Sequence, residues 1–234
     1  MEEHLDSPGW ALAEQVTGAV RRRFPADVLA VGALGALAHG DDTGATEVEL
    51  LVVTYRPASG PPPGGRRVAG TLVRLRVQGA EEHLRRAGSL TPSWPLTADR
   101  YLTVRTLHDP TGWLARPRDE HLSRLARARP IEFTGPARQA WYRGSSAHTQ
   151  ATRLAEWYET DAALQLLGRA RLAVATVTGL LSRTYYRDSG DAVRRAGVAG
   201  ADMTEIGRLL REQATELAAR GRPVDGSIDD LLGG

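Results

Sequence analysis

Two glutamates two residues apart, Glu47 and Glu49, stand at the start of the apolar run Thr46 to Thr54. On a strand such residues share a face, so the spacing aims both carboxylates at one point. A pair of this kind can hold a divalent cation over a phosphate chain, or take and give protons. His39, Asp41 and Asp42 lie just upstream in a Gly/Ala/Asp-rich crossing. They add donors for a metal other than Mg²⁺, although an Asp-Asp-Thr-Gly turn with solvated carboxylates accounts better for the aspartates. Arg74 and Arg76, with Leu72, fall on one face of the alternating run Val68 to Val77. A guanidinium close to Glu47 or Glu49 would repel a metal and pair with the carboxylate instead.

The elements that must carry these residues can be read from the hydrophobic pattern. Trp10, Leu12, Val16, Val20 and Phe24 recur at helical spacing and Pro25 stops them, which predicts a first helix from Pro8 to Phe24. Asp27 to Leu34 and Thr46 to Thr54 read as buried strands. The Pro/Gly-rich stretch from Tyr55 to Arg67 reads as a loop joining two strands of a hairpin. Val68 to Val77 follows as a strand, Ala80 to Ala87 as a short helix, residues 89–100 as a loop, and Tyr101 to Leu107 as a last strand. Beyond Gly112 the period changes to 3.6. Helices are predicted over Trp113 to Ala128, broken by Pro117, then Pro136 to Trp157, Asp161 to Arg183, Ser189 to Ala196 and Met203 to Gly221. The expected fold class is α+β: a mixed-sheet domain over 1–112, then a helical bundle over 113–234.

Composition narrows the chemistry. The chain has 234 residues, a formal charge of +2 and 41% hydrophobic residues, enough for a packed core. All 30 basic residues are arginines. Without lysine there is no Schiff-base or P-loop lysine, and without cysteine no thiolate nucleophile, thiolate metal site or disulfide. The small net charge does not by itself point to nucleic acid. No run of purely apolar residues approaches the ~18 to 20 of a membrane span, and the N-terminus lacks the pattern of a signal peptide. A cytoplasmic protein is expected.

The order of strand, Gly-containing turn and E-x-E strand, followed by a helical half, resembles the nucleotidyltransferase superfamily and within it the kanamycin nucleotidyltransferase group. Gly35 lies twelve positions before Glu47, as in that group, and Trp94-Pro95-Leu96-Thr97 and His108-Asp109-Pro110-Thr111-Gly112 match two further segments. The resemblance implies a triphosphate held at the glycine turn, Mg²⁺ on two or three strand carboxylates, a glutamate base and a lysine on a helix, and active sites at a dimer interface. Carried over residue by residue, the turn serine is Ala36, the following arginine is His39, and the third acidic position is Arg74 or Arg76. The base is Ser146 and the lysine Gln150 in a gap-free count. In a gapped one they are Glu156 and Thr160.

These substitutions lead to the expectation of a small-molecule enzyme of specialised metabolism that reuses the cleft without a nucleotide or metal. Its acid–base candidates are Glu47, Glu49, His39 and Glu156. Arg74, Arg76, Trp141, Tyr142 and Trp157 are its substrate-binding candidates, the aromatics together with Tyr158 offering an apolar wall. The alternative is nucleotide transfer from ATP or GTP with Mg²⁺ on Glu47 and Glu49 to a hydroxyl of an aminoglycoside-like acceptor. A second alternative is a binding or resistance protein without catalysis. Each reading expects a homodimer acting on a small molecule, with no nucleic acid or membrane. Ser146 and His148, two apart on a helix, do not face each other and make a weak nucleophile pair.

Overall fold

The computed structural model describes residues 7–41 and 47–232, so Asp42 and Thr46 lie outside the described residues. Its fold class is α+β, a five-stranded mixed sheet with many helices. The chain forms two compact units. One comprises residues 1–89 and 99–127, the other residues 90–98 and 128–234. Their limits therefore differ from a single division after residue 112.

The first unit holds α1 (Pro8–Arg23), β1 (Val28–Leu34), α2 (Gly35–His39), β2 (Val48–Thr54), β3 (Gly64–Val68), β4 (Thr71–Gly79) and α3 (Ala80–Ala87). Its later part supplies α5 (Asp99–Leu102), β5 (Arg105–His108) and α6 (Ala115–Arg127), while α4 belongs to the second unit. Ser7 caps α1 by accepting from the Trp10 amide at 3.2 Å, Pro8 opens the helix, and three arginines close it. The strand order is β3-β4-β2-β1-β5. β1 is antiparallel to β2 and β5, β4 is parallel to β2, and β3 is antiparallel to β4. The central strands β1 and β2 are almost wholly buried, which explains their unbroken Val/Leu/Ala runs. On one face Trp10, Leu12 and Ala13 of α1 cover Ala33, Val48, Leu50 and Val73. On the other, Trp113, Leu114 and Leu84 cover Ala30, Leu34, Leu51 and Val53.

Three local expectations change. The Pro/Gly stretch does not close a hairpin, because β2 and β4 run parallel; the hairpin is β3–β4, and Gly64 to Arg67 lie within a strand. Its turn is Ala69-Gly70, both at positive φ (49° and 83°), as the favoured two-residue hairpin turn requires. An alanine in the first turn position hid this break inside what read as one strand. Tyr101 is helical rather than extended: its ring stacks on His121 (5.4 Å) and packs against His83 (5.2 Å), and β5 begins only at Arg105. Pro117 does not break a helix either, since it occupies the first turn of α6, where a missing N–H costs nothing.

The second unit is helical: α4 (Trp94–Thr97), α7 (Ile131–Glu156), α8 (Thr160–Ser182), α9 (Ser189–Arg195), α10 (Met203–Ala219) and α11 (Ile228–Leu232). α7 starts five residues before Pro136. Its core joins Ala147, Ala151, Leu167, Ala170, Val174, Ala175, Ile206 and Leu210. The small residues let α7 and α8 approach closely; an added Cβ at Gly144 would stand 2.9 Å from that of Ala173. α8 is long and apolar enough by composition to cross a membrane, a length reached because Ala, Gly and Thr fill the gaps between its leucines and valines. Here it is the central helix of the bundle, with Leu167, Val174, Val177 and Leu180 among its buried residues.

Candidate functional site

The carboxylates and arginines singled out in the sequence meet on the first unit's sheet. β2 and β4 pair in parallel with Glu49 opposite Arg74 and Leu51 opposite Arg76, so these four share a face. Each carboxylate engages the arginine one same-face step further along β4. Arg74 Nε lies 2.5 Å from Glu47 Oε1, and its Nη2 donates to Oε2 at 3.4 Å. The shorter contact is an ion pair rather than an aligned hydrogen bond, since Oε1 has no hydrogen-bond partner. Arg76 Nε donates to Glu49 Oε1. The Glu49 side chain is 23% exposed and that of Arg76 38%, so the pair sits at the margin of the sheet within reach of water. Both arginines that could replace a third acidic residue thus hold carboxylates.

β1 enters α2 at Gly35, whose φ of +60° suits glycine. A Cβ built there would lie 3.6 Å from Glu49 Oε2, which places that carboxylate beside the turn. Ala36 follows in α2, and the last residue of α2 is His39. His39 Nε2 donates to both oxygens of Asp99, at 2.9 and 3.1 Å. Asp99 is buried, and its Oδ2 also accepts from Thr103 Oγ1 at 3.1 Å. A carboxylate on one ring nitrogen sets the tautomer and orientation of an imidazole. Nδ1, on the other side of the ring, has no hydrogen-bond partner among the described residues.

Arg100 follows Asp99 on α5. It is half-buried, with no hydrogen bond or ion pair among the described residues. Burial first, and then the neighbouring Arg76 charge, hold its guanidinium below its ordinary value, with Tyr101 and Glu49 acting in the opposite direction. Behind it lies a buried aromatic layer. His83 Nδ1 donates to Gln78 Oε1 at 2.5 Å, and His121 Nδ1 to the Ala87 carbonyl at 2.8 Å. Burial pushes His83 down to about 4, assisted by the charges of Arg100 and Arg86.

Mg²⁺, which the family resemblance implies, finds a poor donor set here. Both candidate carboxylates are engaged by guanidiniums, and no group of three or more acidic or imidazole side chains suited to a metal occurs among the described residues. Mg²⁺ needs near-octahedral oxygen coordination at about 2.1 Å, and adjacent cations oppose its charge.

The remaining sequence candidates lie in the second unit. Trp141 and Trp157 are sixteen residues apart along or just beyond α7, about 24 Å on a helix, so they form no common wall. Trp141 is anchored, donating its indole N–H to the Leu210 carbonyl at 2.8 Å. The Tyr142 hydroxyl donates to the Val224 carbonyl at 3.1 Å. Trp157 is exposed beneath the Arg153 guanidinium, 4.7 Å from its ring centre. Glu156 is exposed at the end of α7. Gln150 donates to Ser146 Oγ at 3.0 Å, so the two residues of the gap-free count touch each other. His148 donates to the Met203 carbonyl at 2.8 Å, a tie between helices. Asp109, in the matched turn, accepts the amides of Trp113 and Leu114, both at 2.8 Å, and so closes the turn.

Sequence reasoning missed Asp99 and Arg100. They follow the Trp94 to Thr97 segment after Ala98, within what read as a loop, and nothing local shows that Asp99 meets a histidine sixty residues upstream.

No family model matches the chain, and no curated protein matches it. Among solved structures it is similar to a nucleotidyltransferase-like protein from Exiguobacterium sibiricum, with 15% identity, coverage of 88% of this chain and 77% of that one, and a TM-score of 0.46.

Proposed function

We propose that this chain is a nucleotidyltransferase-like protein that carries out acid–base chemistry on a small molecule without a nucleotide or Mg²⁺. The observation that carries the reading is the double engagement of Glu47 by Arg74 and Glu49 by Arg76. It offsets the charge that would attract a cation. His39 is the group for proton transfer: Asp99 fixes Nε2 and leaves Nδ1 to take or give a proton, and Asp99 stabilises the imidazolium once formed. Glu49 is the second acid–base candidate. Arg100, with no acceptor among the described residues, is suited to a developing or resident negative charge on the substrate. The reading carries with it a cytoplasmic homodimer of specialised metabolism, with no nucleic acid or membrane partner.

Calorimetric titration of each nucleoside triphosphate with Mg²⁺ tests the proposal. No heat is expected from any of them. Micromolar binding would overturn it in favour of nucleotide transfer to an aminoglycoside-like hydroxyl. Once a substrate is in hand, His39→Gln and Asp99→Asn should each lower turnover by about 10²-fold or more. A compound that is bound by wild type and returned unchanged would instead favour a sequestering protein.

A further inference from the structure

We infer that the second unit contains a binding groove between α7 and α8 for a small apolar carboxylate. Two helical stripes line it. On α7, Arg143, Ser146, Ala147 and Gln150 recur at the three- and four-residue steps that share a face. On α8, Leu166, Arg169, Leu172, Ala173 and Thr176 do the same, and Leu96 adds an apolar side chain from α4. The groove is open to solvent, and its volume is about 620 Å³, within the ~300 to 1,000 Å³ usual for small-molecule sites.

The lining dictates the ligand's character. Its alanines and leucines present aliphatic surface, and Ser146 and Gln150 satisfy each other at 3.0 Å. Arg143 and Arg169 are exposed and have no hydrogen bond or ion pair among the described residues. Among the described residues, no aspartate or glutamate lines the groove. An apolar body with one anionic head therefore matches both parts: the body covers the leucines, and the head accepts from a guanidinium in charge-assisted hydrogen bonds. A polycationic amino sugar, the acceptor that the kanamycin resemblance would imply, meets two cations here and no carboxylate.

The test uses the full chain and decanoate, titrated by calorimetry beside decylammonium. Decanoate should bind wild type and decylammonium should not. In Arg143→Gln/Arg169→Gln the decanoate affinity should fall about three- to tenfold, since the exposed guanidinium contact with the head is lost whichever arginine makes it. The melting temperature of this variant should stay that of wild type, because neither side chain has a partner to lose among the described residues. Three results would each overturn the inference: no heat from decanoate, equal affinity in the double variant, or equal binding of decylammonium. A wild-type dimer that gives no heat and dissociates in the double variant would assign the groove to a second copy of the chain.

Discussion

Acidification should destabilise the first unit through His83, and the size of the effect follows from its surroundings. His83 is 2% exposed, stands 5.2 Å from the Tyr101 ring and 5.9 Å from that of Trp113, and has its N–H directed at Gln78. Burial, with the charges of Arg100 and Arg86, lowers it from 6.5 to about 4. The folded state therefore binds fewer protons than the unfolded chain between these values, so stability rises with pH across that window. The contribution is fully present above about pH 6.5 and is lost as pH falls through about 4. A gap of roughly 2.5 pH units corresponds to about 3 kcal/mol in all, of which about 2 kcal/mol disappears between pH 7 and pH 5. Urea unfolding of wild type and His83→Gln at the two pH values isolates this histidine from other titrating groups. The variant should be less stable at pH 7, and its deficit should shrink by about 2 kcal/mol at pH 5. A deficit that is the same at both values would refute the reasoning, since the imidazole would then titrate alike folded and unfolded. His121, lowered by burial, should act in the same direction.

Three further substitutions probe the frame. Gly179→Ala should cost about 1 to 3 kcal/mol in thermal unfolding, because the new methyl would lie 2.8 to 2.9 Å from the Thr184 carbonyl, the Tyr186 ring and Pro95. Trp141→Phe should lose about 1 kcal/mol, the worth of its bond to the Leu210 carbonyl, as read from chemical denaturation. Glu49→Gln should move the melting temperature little, because the Arg76 pair is partly exposed and such pairs contribute at most about 1 kcal/mol. A much larger loss would mean that the pair is a structural strut.

The sequence by itself determined most of the elements. Apolar periodicity placed α1, β1, β2, α3 and the long helices within a few residues, because each must bury one face or two and its local pattern records that demand. It also placed Glu47, Glu49, Arg74 and Arg76 on common faces, since alternation along a strand is a local property. Only the tertiary structure decided which strands are neighbours. Parallel pairing of β2 with β4 brings Arg74 and Arg76 onto the two glutamates, a meeting that the family resemblance leads one to expect but that the apolar pattern of neither strand fixes. The Ala69-Gly70 turn, the helical setting of Tyr101, the union of His39 with Asp99 and the separation of Trp141 from Trp157 have the same origin. Each depends on contacts between residues distant in sequence or on a backbone conformation that packing imposes. The glutamate pair can be read from spacing alone, whereas its neutralisation by arginine is a consequence of the sheet.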